Sequence, residues 1–329
     1  MTLYGAALLT VMLGALMAAL DLALFALSPL LLRALARVSR ARRARTILMV
    51  RSLPVVASLI VIGLVVLPAW MAHEPANTGE VASPLLLLLA GLSLLPFVAG
   101  LVRGARMLLR TRERLSSWRQ RALGRHESAA PCEVLEVAGA DVAVCVGGYF
   151  RPTIYASTDV VDALEPAELK AVLAHETAHA HARDPLRLLW MASCPDFLRA
   201  FDQDEEWRRE FARACEFAAD ESACRRGPDA ALDLATGLLK VARLRLFPDS
   251  SATALAGVAV SSAFASREDI ETRVRALLED VEPEPPRRGG RSRALVTLAL
   301  GLALWGGGLS VSEHVHGWTE VVGSILAPR

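Results

Sequence analysis

Four stretches of this chain are long and apolar enough to cross a bilayer, and they constrain its fold more than any other feature. They run roughly from Leu3 to Leu32, Thr46 to Met71, Pro84 to Val102 and Ala294 to Val311. Of the 329 residues 53% are hydrophobic and only 5% aromatic, which does not fit an ordinary soluble domain. The first stretch lacks a basic start and a small-residue cleavage site, so it reads as a retained span rather than a removed signal peptide.

The flanks give an orientation. After the first stretch come Arg33, Arg37, Arg40, Arg42, Arg43, Arg45 and Arg51, and after the third come Arg103, Arg106, Arg110, Arg112, Arg114, Arg119, Arg121 and Arg125. Arg287, Arg288, Arg291 and Arg293 precede the fourth, whereas His73 to Ser83 holds Glu74 and Glu80 and no Lys or Arg. By the positive-inside rule both termini are expected outside and the block between spans three and four in the cytoplasm, in a multi-pass protein of the inner (plasma) membrane. The net charge is only +1 and the basic clusters sit at span ends. They therefore read as partners of the lipid bilayer, and no direct nucleic-acid binding is expected. Asp21 lies inside the first span, where an acid must face the bundle and find a partner.

The block of about 180 residues between spans three and four has globular composition, enough for one core. Its start is helical and basic. Cys132 to Ala138, Asp141 to Val146 and Arg151 to Ser157 read as strands of a small antiparallel sheet, punctuated at Ala138-Gly139-Ala140 and Gly147-Gly148. Helices are expected over Glu165 to Arg183, Pro185 to Phe201, Asp204 to Arg226, Asp229 to Leu246 and Arg267 to Asp280. A linker, Glu282-Pro-Glu-Pro-Pro286, leads to the last span. The five cysteines show no CxxC spacing and read as reduced, small buried side chains.

The chemistry lies on the Glu165 helix, which carries His175-Glu-Thr-Ala-His179, an HExxH string. Residues four apart share one face of a helix, so both imidazoles can reach one ion. Glu176 is offset by about 100° and suits a base beside that ion. Zinc accepts two imidazoles plus a carboxylate and keeps one position open. The carboxylate must come from elsewhere. Glu216 and Asp220 lie four apart on a later helix, so one can bind metal while the other accepts the distal N–H of a ligand histidine. On spacing alone they could equally be solvated acids among Asp204, Glu205, Glu206, Glu210 and Glu221. His181 points away from the pair and reads as a surface residue. Asp184-Pro185 reads as a helix stop and restart, with Asp184 capping the next helix. His314 and His316 on the tail read as incidental.

The run Arg151-Pro-Thr-Ile-Tyr-Ala-Ser157, the HExxHxxxxD string from His175 to Asp184 and the ExxxD string from Glu216 to Asp220 together resemble the BlaR/MecR-type antirepressor metallopeptidases. These share a gluzincin core with HtpX-like and CAAX prenyl endopeptidases. The resemblance implies that His175, His179 and Glu216 bind zinc, that Glu176 is the general base, that Asp220 supports His175 and that Asp184 has a structural role near the site. Three spans before the block and one after it match the antirepressor group. In zinc peptidases of this kind an edge strand often pairs with substrate backbone, a role assigned here to the Arg151 to Ser157 strand. The penicillin-sensing members carry a large sensor after the last span. Only about 18 residues follow it here, too few for a folded domain, so direct β-lactam sensing is not expected.

The expected protein is thus mainly α: four transmembrane helices plus a cytoplasmic gluzincin-type α+β metallopeptidase domain. Residues 1–110 form the three-span region, 111–286 the peptidase domain, 287–312 the linker and fourth span, and 313–329 a short extracytoplasmic tail. The expected activity is zinc-dependent hydrolysis of a protein or peptide substrate, a transcriptional repressor being one candidate. A quality-control protease of the HtpX kind and a non-catalytic zinc-binding scaffold are the alternatives.

Overall fold

The computed structural model describes residues 2–73, 81–125, 132–139, 143–197, 202–227, 229–244, 261–262 and 267–279. The expected fourth span, its linker and the tail lie outside the described residues.

Three helices among the described residues are long and apolar enough to cross a membrane. The first is α1 (Leu3–Leu35), started by Thr2, whose hydroxyl accepts the Gly5 N–H at 3.1 Å. The second is built from α2 (Arg40–Val61), a π-helical turn (Ile62–Val66) and α3 (Leu67–His73). The third, α4 (Pro84–Gln120), opens with Ser83 as cap and Pro84 in its first turn. Helices keep their backbone hydrogen bonds within the segment, which suits a medium without water. The 37 residues of α4 span about 55 Å, well beyond a hydrocarbon core of about 30 Å. Its basic second half runs on without a break to the globular block, where Leu115 and Trp118 pack on the sheet.

The sheet has five strands, β1 (Ala122–Arg125), β2 (Val134–Val137), β3 (Val144–Gly147), β4 (Thr153–Ser157) and β5 (Ser261–Ser262), in the order β1-β2-β4-β3-β5. It is mixed rather than antiparallel as expected, because β2 and β4 run parallel. The cause is the placement of β3, which lies beyond β4 so that β4 returns between β3 and β2. Parallel neighbours need a long crossover, and β3 with its turns supplies it. Every residue of β3 and β4 is buried, as central strands require, whereas β2 is buried only at its two ends. Nor is the Arg151 to Ser157 segment the edge strand expected of it. β4 is hydrogen-bonded on both sides and has no free ladder to offer a substrate.

Among the described residues the block also holds α5 (Thr158–Ala163), α6 (Pro166–Ala182), α7 (Asp184–Ser193), α8 (Asp202–Cys224), α9 (Ala230–Leu244) and α10 (Arg267–Leu278). Helix α7 stops at Ser193, short of the expected Phe201, just before Pro195, which disfavours helix in the residue ahead of it. The sheet, α6 and α9 share one core that includes Val144, Val146, Ile154, Val172, Leu234 and Leu238. A second core joins the block to the bundle. Trp207, Phe211, Ala214 and Cys215 of α8 pack with Leu24 and Leu35 of α1 and with Ala44 and Ile47 of α2.

Candidate metal centre

Helix α6 is the centre of the block. Its alanine-rich sequence favours helix, and it is buried on nearly every face by α8, α9 and the sheet. Pro166 fits its first turn, and the Glu168 carboxylate accepts the Glu165 N–H at 2.8 Å while also binding Lys240 of α9 at 2.7 Å. The helix ends at Arg183, which adopts a left-handed conformation (φ 55°). That conformation is uncommon for a residue with a Cβ, and it turns the chain directly into α7.

His175 and His179 lie one turn apart and are fully buried, with their Nε2 atoms 3.1 Å from each other. Glu216 of α8 reaches both: Oε2 is 3.5 Å from His175 Nε2, and Oε1 is 3.5 Å from His179 Nε2. Among the described residues these three form the one group whose ligand atoms all lie within 4.8 Å of one another. The far nitrogens face carboxylates. Asp184 Oδ2 lies 2.7 Å from His179 Nδ1, and Asp220 Oδ1 lies 2.9 Å from His175 Nδ1, the latter contact bent away from hydrogen-bond alignment. Asp184 is the first residue of α7 rather than its cap, and its other oxygen accepts from Arg187 at 2.9 Å. His181 is exposed, its ring on the Thr177 carbonyl.

Ionised carboxylates only accept hydrogen bonds, so the Asp184 bond places a proton on His179 Nδ1, and Asp220 beside His175 Nδ1 favours the same there. With both rings neutral, each Nε2 presents a lone pair to the other and to Glu216, an arrangement that a cation between them would satisfy. The charges agree. Among the described residues four carboxylates, of Glu176, Asp184, Glu216 and Asp220, stand against the two guanidiniums of Arg187 and Arg273, an acidic surplus that suits a cation. Two imidazoles and one carboxylate are a donor set that zinc accepts, so the residues present fit the metal that the motif implies.

Glu176 is fully buried, and among the described residues neither of its carboxylate oxygens has a hydrogen-bond partner. Burial pushes its carboxyl above the usual range, against the pull of the two histidines. An orphaned buried carboxylate is costly, and such groups concentrate where chemistry is done. Glu216 behaves oppositely. Burial would raise it, but Arg273 and His179 hold it well below the usual carboxylate range. Against its burial, Asp220 is likewise brought down to about 2 by Arg273. Cys215, beside Asp184, is pushed up by burial and stays a thiol, outside the donor set.

Arg273 of α10 is absent from the sequence-based expectations. Its Nη1 is 2.8 Å from Glu216 Oε2, its Nε and Nη2 bind Asp220 at 2.8 and 2.6 Å, and Nη2 stands 3.4 Å from His175 Nε2. One rigid fork thereby fixes two carboxylates of α8. A signal for it exists in the sequence: Arg273 falls within the helical stripe Ile270, Val274 and Leu277 that faces the core, whereas Arg275 does not.

Residues 143–281 match the family model of peptidase family M48. That stretch carries His175, Glu176, His179, Asp184, Glu216, Asp220 and Arg273. No curated protein matches the chain. Fold, donor cluster and family match together make this block similar to the metallopeptidases of family M48.

Proposed function

We propose that the chain is a membrane-embedded, zinc-dependent endopeptidase in which His175, His179 and Glu216 hold the metal and Glu176 is the general base. The observation that carries this reading is the pair of facing Nε2 atoms beside Glu216, next to a buried carboxylate without a partner. When bound, zinc supplies Lewis acidity toward a peptide carbonyl and toward water. Asp184 and Asp220 orient the two rings and raise their basicity. Arg273 keeps Glu216 ionised and aimed. Glu176 takes the proton from water as it attacks the scissile carbonyl, then returns it to the leaving amine nitrogen.

The block is inferred to face the cytoplasm. Supporting this, the basic flanks of the apolar helices touch the block itself: Arg43 pairs with Glu210, Arg51 with Asp196, and Arg103 binds the end of α7. The substrate is then a cytosolic or membrane-proximal protein, and the resemblance to antirepressor peptidases favours regulatory cleavage, such as that of a transcriptional repressor. Proteomics comparing cells with the wild type and with Glu176→Ala tests this. Fragments that vanish in the variant are expected to include a regulatory protein. Identical fragment sets would overturn the proposal.

A further inference from the structure

The chain beyond the metal centre is fastened inside the bundle. Helix α7, ten residues and about 15 Å long, begins at Asp184, which holds His179, and ends at Ser193 among the apolar helices. There each of the three contributes one polar anchor. Arg103 of α4 donates from Nε to the Ala192 carbonyl and from Nη2 to the Cys194 carbonyl, both at 3.0 Å. These are carbonyls of a helix C-terminus, where a cation is favoured. Arg51 of α2 pairs with Asp196. Asp21 of α1, the acid within the first span, accepts the Phe197 N–H at 3.2 Å and is buried.

The fit around these anchors is close. Gly100 and Gly104 of α4 lie against Ser193, where any Cβ would collide with its carbonyl and hydroxyl. Cys194 is packed with Met17 of α1, Val55 of α2 and Phe97 of α4, and Trp190 of α7 donates to Ser52 at 2.7 Å. At the other end the turn from α6 to α7 is a single left-handed residue, Arg183, bridged by the Asp184–His179 bond. A short helix gripped at both ends transmits displacement because a packed interior does not absorb it.

We propose that Asp21, Arg51 and Arg103 are positioning residues for the metal centre, acting through α7 and Asp184 on His179. The inference rests on the zinc reading above. A shift in the packing of the three apolar helices moves residues 192–197, and α7 carries that shift to the orientation of one metal ligand.

The test is zinc affinity of the full chain in bilayer discs, measured by competition with a chelating indicator, with thermal unfolding recorded alongside. Removal of a group that directly supports a ligand costs about 10–100-fold in metal affinity, so an anchor one step further away is expected to cost about three- to tenfold. Arg103→Gln and Asp21→Ala should each show that loss. Asp21→Asn, which keeps an oxygen to accept the Phe197 N–H, should bind zinc as the wild type does. In an Asp184→Ala background, which leaves no oxygen to hold His179 Nδ1, Arg103→Gln should add no further loss, because its route to His179 is already cut. Wild-type zinc affinity in both Arg103→Gln and Asp21→Ala would overturn the inference, as would losses that simply add to that of Asp184→Ala. If Arg103→Gln does not fold, the Asp21→Ala and Asp21→Asn pair decides the question in the same way. A wild-type chain that binds no zinc overturns the metal reading itself, a result distinct from the others.

Discussion

Along α1, Leu22, Leu27 and Leu30 stand half or more exposed while Asp21 and Ser28 are buried; in α6, His175, Glu176 and His179 are buried within a jacket that includes Val172, Leu234 and Leu238. The outer face of the bundle is apolar, as suits hydrocarbon as a solvent, whereas the block turns its apolar side chains inward, away from water. Both regions nevertheless hide polar groups in their interiors. In the bundle Ser28 accepts from Trp207 Nε1 of α8 at 2.9 Å and Asp21 from the Phe197 N–H at 3.2 Å, although the Ser58 hydroxyl is buried without a partner among the described residues. In the metal centre, among the described residues, both carboxylate oxygens of the buried Glu176 are left without a hydrogen-bond partner. The contrast separates polar groups that assemble the molecule from polar groups kept ready for a ligand and a reaction.

Four substitutions sharpen that contrast, in decreasing order of effect. Glu176→Gln should lower peptide cleavage by about 10²–10⁴-fold, the range for loss of a general base, with zinc content unchanged in elemental analysis. Leu238→Ala, in the core of the block, should cost about 2–5 kcal/mol in denaturant unfolding. Asp220→Asn should weaken zinc binding by about 10–100-fold in chelator competition, since it removes the carboxylate facing His175 Nδ1 and one partner of Arg273. Leu95→Ala, on the exposed face of α4, should stay within about 0.5 kcal/mol of the wild type in the same unfolding assay. A cost at Leu95 as large as at Leu238 would break the contrast, because that face would then be a packed interface.

Local periodicity makes much of this legible. The i, i+4 spacing of His175 with His179 and of Glu216 with Asp220 sets each pair on one helix face, and the apolar runs declare their helices by length. Pairings between distant segments are not legible. Nothing in the Val134 to Ser157 stretch states that β3 is laid outside β4, and Ala122–Arg125 is too short to show alternation. Asp21 is recognisable as an acid needing a partner, but that partner is a backbone N–H 176 residues away. Arg273 sits among the charges of a short helix, where its role depends on α8 lying opposite.

The most direct test of the central claim is the zinc content of the purified full chain, measured by atomic emission for the wild type and for a variant carrying both His175→Ala and His179→Ala. The wild type should hold about one zinc per chain and the double variant none. Stoichiometric zinc in the double variant, or none in wild type purified from zinc-replete medium, would contradict the assignment.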